Sequence, residues 1–175
     1  MVEIPDGDLF EGLERFRKYY RDEKIAYKDL SDSDFDGLLA LNRKLSKLEK
    51  EIITEYNKLY SFAQQRVDIE DDRLCCFYIE IFIEFYLDKN HPAYKEDGDN
   101  LLTVLYTSHE MPSFDFGIGD GIEHTTLLEK NLALLKSEKH CYIMHSLYEH
   151  TSLNLQELLV IGSFEYQFRL ILDYD

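Results

Sequence analysis

An α+β fold, with N-terminal helices packed on a mainly antiparallel sheet, is predicted by three observations. Apolar residues recur at spacings of three and four through the first third of the 175-residue chain. After an acidic break at residues 68–72, the apolar period changes to two. The helical segments come first and most strands follow, without the regular βαβ alternation of a doubly wound sheet. The length suits one domain over 1–175, with a helical part at 1–66 and a sheet-rich part at 73–175.

The first helix is predicted over Asp8–Tyr27, where Leu9, Leu13, Phe16 and Tyr20 share a face and Arg15, Arg17, Lys18 and Arg21 fill the rest. Ser31 with Asp34, and Ser33 with Asp36, are loose capping boxes for the next helix. Its stripe is Phe35, Leu38, Leu41, Leu45, Leu48, Ile52, Tyr56, Leu59 and Ala63. The spacing is not a strict seven-residue repeat, so the stripe is expected to dock on a sheet or helix of the same chain rather than in a coiled coil.

Cys75, Phe77, Ile79, Ile81, Ile83, Phe85 and Leu87 alternate with Cys76, Tyr78, Glu80, Phe82, Glu84 and Tyr86. This reads as a strand with one dry face and one mixed face. His91-Pro92 and Asp97-Gly98 signal turns, and Leu101–Thr107 reads as a second strand. Met111–Glu123, with Gly117, Gly119 and Gly121, reads as a loop, and a helix is expected from Thr125 or Thr126 to Lys136. His140–Tyr148 is expected as a strand, Asn154–Val160 as a short helix, and Ser163–Tyr174 as the closing strand.

Charge limits what such a domain binds. Lys and Arg number 19 against 35 Asp and Glu, a formal net charge of -16. Nucleic-acid phosphate and anionic membranes would be repelled, whereas a basic protein would be attracted. The asymmetry is regional, with net -6 over residues 1–95 and net -10 over 96–175. No Lys or Arg occurs from Glu96 to Glu129. No apolar run is long enough to span a bilayer and the start is acidic, so a cytoplasmic location is expected. Three cysteines, two of them adjacent, do not form a disulfide framework.

No motif assembles a catalytic set. Gly117-Ile-Gly-Asp-Gly121 departs from the dinucleotide pattern, and Asp115, Asp120 and Glu123 would oppose phosphate. The same loop lacks the spacing of a calcium-binding EF-hand. His140, Cys141, His145, Glu149 and His150 cluster in sequence, but on one strand they would point to both faces and could not converge on a metal. Cys141 lies in an apolar pattern suited to an inert thiol. Glu80 and Glu84 share a strand face at an expected separation of about 7 Å, as acid–base pairs do, but nothing else builds a sugar site around them. The strip Tyr78-Glu80-Phe82-Glu84-Tyr86 instead offers ring area with carboxylates for Arg or Lys.

The C-terminal block from His140-Cys-Tyr-Ile-Met-His-Ser-Leu-Tyr-Glu-His-Thr through Leu155-Gln-Glu-Leu-Leu-Val-Ile-Gly to the closing strand resembles the end of small bacterial immunity proteins. These neutralise polymorphic toxins such as those of contact-dependent growth inhibition. The resemblance covers about a fifth of the chain and has no catalytic motif. It implies a cytoplasmic protein that covers the surface of one cognate toxin, often a nuclease. The expectation is therefore a non-enzymatic acidic inhibitor of a basic toxin domain, without metal or cofactor. Its candidate contacts are Asp97, Asp99, Glu110, Asp115, Asp120, Glu123, Tyr78, Glu80 and Glu84. The alternative is a small metal-binding protein or enzyme built on the His140–His150 cluster.

Overall fold

The computed structural model describes residues 10–22, 31–69, 74–109 and 141–174. Its elements, in order, are α1 (Glu11–Asp22), α2 (Asp32–Ile69), β1 (Leu74–Leu87), β2 (Leu101–His109), α3 (Tyr142–His150), α4 (Leu155–Leu158) and β3 (Ile161–Tyr174). The strands form a three-stranded antiparallel sheet of order β2-β1-β3. The fold is α+β, as the change of period predicts.

Helix α2 starts where its capping residues place it. The Asp34 N–H donates to Ser31 Oγ at 3.2 Å, and the Ser31 N–H donates to Asp34 Oδ2 at 3.0 Å. This reciprocal pair satisfies two of the N–H groups that a helix start leaves open. Phe35, Leu38, Leu41, Leu45, Leu48, Ile52, Tyr56 and Ala63 are all buried. They meet the dry face of β1, where Phe77, Ile79, Ile81, Ile83, Phe85 and Leu87 are buried in the same cluster. The Tyr60 ring packs edge-on against Phe77 at 5.4 Å.

Strand β3 adds Phe164, Tyr166, Phe168, Leu170 and Leu172 to that face, opposite Phe85, Ile83, Ile81, Ile79 and Phe77. Tyr166 Oη donates to Glu55 Oε1 at 2.8 Å, tying the strand to α2. Donation to the Glu55 carboxylate, with burial, pushes the Tyr166 phenol up to about 12.

Helix α1 buries Leu13 and Phe16, and two arginines fasten it. Arg15 donates to the Ala93 carbonyl, the Asp99 carbonyl and Asn100 Oδ1, gripping the β1–β2 connection. Arg17 forms a bidentate pair with Glu157 at 2.9 and 2.8 Å and reaches the Ser152 carbonyl at 2.7 Å. Close approach demands glycine at two joints. A Cβ on Gly12 would lie 2.7 Å from the Asn100 carbonyl carbon, and one on Gly162 would lie 2.4 Å from Asp88 Cα.

The strand expected over His140–Tyr148 is overturned, because Tyr142–His150 is helical. Ile143, Met144, His145, Ser146 and Leu147 are all buried in an unbroken run, which one alternating face cannot produce. Helix α3 packs on α2, with Cys141 as its N-cap residue. The short helix expected over Asn154–Val160 covers only Leu155–Leu158, and its Glu157 N–H donates to the capping Asn154 Oδ1 at 2.8 Å. Strand β3 begins at Ile161 rather than Ser163, and α2 runs on to Ile69. The flanks of the first expected helix (8–9 and 23–27), the 111–123 loop and the 125–136 helix lie outside the described residues. Among the described residues, no helix is long and apolar enough to cross a membrane.

Candidate functional site

The second face of the sheet gathers polar and aromatic side chains from all three strands. Register sets Val104, Tyr106 and Ser108 of β2 opposite Glu84, Phe82 and Glu80 of β1. On the other flank, Glu165, Gln167 and Arg169 of β3 stand opposite the same three residues. Tyr78, Glu80 and Glu84, all predicted as contact residues, therefore share one surface. The Phe82 and Tyr106 rings lie 5.0 Å apart, and Tyr106 is 45 % exposed.

The two central carboxylates differ. Glu80 is not an exposed contact, as its alternation suggested, but is only 7 % exposed. Tyr106 Oη donates to its Oε1 at 3.0 Å, and Arg169 Nε lies 3.9 Å from its Oε2. Neighbours on both flanking strands account for that burial. Glu84 is half-buried and accepts a hydrogen bond from Tyr86 Oη. It faces Glu165 directly across β1–β3, a like-charge pair that disfavours the isolated sheet. Burial, the bond to Glu84, and the charges of Glu84, Glu165 and Asp99 all raise the Tyr86 pKa above its ordinary value. An incoming cation would find rings on the same face as the Glu84 and Glu165 carboxylates, which have no cationic partner among the described residues.

Asp97 and Asp99 lie exposed on the β1–β2 connection, and Asp99 is near enough to act on Tyr86. Its Oδ1 accepts the Leu101 N–H at 2.9 Å. Glu110, Asp115, Asp120 and Glu123 lie outside the described residues. The sequence pattern does not mark Tyr106, Glu165 and Arg169 as site residues. Each sits in a predicted strand, but only the pairing register brings them beside Glu80 and Glu84.

The other candidate chemistries gain little from the geometry. The expected separation of about 7 Å between Glu80 and Glu84 is corrected, because they stand four positions apart on β1, about 13 Å at the strand rise, too far to share a proton. Cys141 is 2 % exposed, and burial pushes its thiol up to about 12, so it stays protonated rather than nucleophilic. His145 is buried on α3, His150 is exposed near its end, and His140 lies outside the described residues. Among the described residues, no three His, Cys, Asp or Glu side chains are placed to hold a metal ion.

A separate cleft of about 320 Å³ lies where α1 meets the β1–β2 connection, lined by Phe16, Tyr20, Asp34, Asp88, His91 and Gln156 among others. His91 Nδ1 accepts the Ala93 N–H at 3.0 Å, so the neutral ring carries its proton on Nε2. Comparison with family models, curated proteins and solved structures finds no match to this chain, so the sheet face rests on its own geometry as the candidate site.

Proposed function

We propose that the protein binds a basic protein partner through the second sheet face and blocks it, as an immunity protein blocks its cognate toxin. The observation that carries this reading is the Glu84–Glu165 pair, directly opposed on the same sheet face as the exposed Tyr106 ring. A Lys or Arg from a partner would relieve the repulsion, and the rings would supply buried contact area. The net charge of -16 would steer a basic domain toward the chain and raise its association rate.

The test is binding to the protein encoded directly upstream, measured by surface plasmon resonance with purified proteins. A one-to-one complex is expected, with an association rate that falls as salt rises. The Glu84→Gln/Tyr106→Ala double variant should weaken it by roughly 30-fold or more with an unchanged circular dichroism spectrum. No complex, or a complex indifferent to both substitutions, would overturn the proposal.

A further inference from the structure

Among the described residues, strand β3 is an edge of the sheet, and it runs for 14 residues. Among the described residues, no strand pairs with its outer side. Such an edge presents a row of unpaired N–H and C=O groups, which proteins ordinarily shield with Pro, Lys, a bulge or a short strand. β3 contains neither Pro nor Lys, its charges are of mixed sign (Glu165, Arg169 and Asp173), and its bulge against β1 falls at Gly162, before the stretch centred on Gln167. On its helix-packed face Phe164, Tyr166, Phe168, Leu170 and Leu172 are only half-buried, although their β1 partners are buried.

The other face carries a self-complementary pattern. Glu165 and Arg169 flank Gln167 symmetrically. A two-fold axis through Gln167 would set Glu165 against Arg169 of a second copy, and Arg169 against its Glu165. The same register sets Phe164 against Leu170 and Tyr166 against Phe168. Neighbouring registers lose this match. Centring on Glu165 or on Arg169 opposes like charges, and centring on Ile171 pairs Arg169 with Asp173 but uses only the end of the strand.

Both charged residues have interactions to gain. Glu165 is exposed and faces Glu84, another carboxylate. The Arg169 side chain is 40 % exposed, and its contact with Glu80 is long, at 3.9 Å.

We infer that β3 pairs antiparallel with β3 of a second copy, in the register centred on Gln167, joining two three-stranded sheets into one of six strands. The second copy's guanidinium then neutralises Glu165 beside Glu84, and the apolar rows of the two edges meet on the helix side. Each chain carries -16, so long-range repulsion opposes pairing. At about 0.15 M salt the Debye length is about 8 Å, which screens that repulsion more than it screens the close pairs. This pairing does not depend on the proposed binding of a basic partner, but both use Glu165, so a partner's cation and the second copy would compete for that carboxylate.

Sedimentation equilibrium over roughly 5–500 µM at about 0.15 M salt tests the inference. The expected result is a monomer–dimer equilibrium. Arg169→Glu should weaken it about tenfold, because each of two attractive pairs becomes repulsive. Gln167→Glu, at an exposed site that leaves both charges in place, should weaken it severalfold by opposing two carboxylates on the axis. The Glu165→Arg/Arg169→Glu double variant should restore association to within about threefold of the parent. A monomer at every concentration, a dimer unmoved by Gln167→Glu, or a folded double variant that stays monomeric would each overturn it.

Discussion

Arg17 holds a carboxylate that has almost no access to water. The Glu157 side chain is 3 % exposed and the Arg17 side chain 42 % exposed. Arg17→Ala would leave that carboxylate without its cation. The expected loss is about 2–3 kcal/mol, below the full value for a buried pair because Arg17 is partly solvated. Arg17→Lys should recover only part, since an ammonium cannot reproduce the planar fork. Urea unfolding of both variants measures this, and a loss under about 0.5 kcal/mol for Arg17→Ala would show that Asn154 alone suffices for Glu157.

His91 makes a pH-dependent contribution. Its ring lies 5.1, 5.6 and 5.7 Å from those of Phe16, Tyr19 and Tyr20. Burial lowers its pKa from 6.5, against a smaller opposing effect of Asp88. The unfolded chain therefore takes the proton more readily. Stability from this group is complete above the unfolded value and declines as pH falls below about 6.5. The urea midpoint should drop between pH 7.5 and 5.5, and His91→Gln should flatten that slope; equal slopes in the two proteins would refute the assignment. None of these partnerships was legible in the sequence, because each joins residues far apart in the chain.

The best-read elements were those in which one periodicity ran long enough to exclude the other. The stripe of α2 and the alternation of β1 each persist over many residues, and the Ser31–Asp34 cap formed as its spacing implied. The sequence of α3 is ambiguous because Cys141, Ile143, His145 and Leu147 satisfy both the strand period and helical four-residue spacing. In so short a segment, contact with α2 settled the form. The entry into β3 is set more narrowly. Asp88 N–H donates to the Val160 carbonyl at 2.8 Å, which presses the Asp88 backbone onto Gly162. Gly162→Ala should cost about 1–3 kcal/mol, read as a lower thermal midpoint. A change below about 0.5 kcal/mol would mean that the joint yields freely.

At the scale of the whole molecule, fold class followed from the order of periods, whereas the candidate face did not. Only its central column, Tyr78, Glu80 and Glu84, could be read from alternation in β1. Its flanks depend on which strands lie beside β1 and in what register, and alternation within a strand is silent on both. The regional excess of acid pointed toward the C-terminal half, and Glu165 fits that trend. Asp97 sits apart on the connecting loop.

The order β2-β1-β3 also has a consequence in time. Leu87 at the end of the central strand stands opposite Ile161 at the start of β3. Roughly 75 residues of chain must be synthesised between them, which takes about 4–15 s at ribosomal speed. For that interval β1 can pair with β2 but has one edge open, and its apolar face, met by α2, lacks the flanking row that β3 adds. The nascent hairpin must survive several seconds without aggregating before its second neighbour exists, so the sheet closes around a strand made long before.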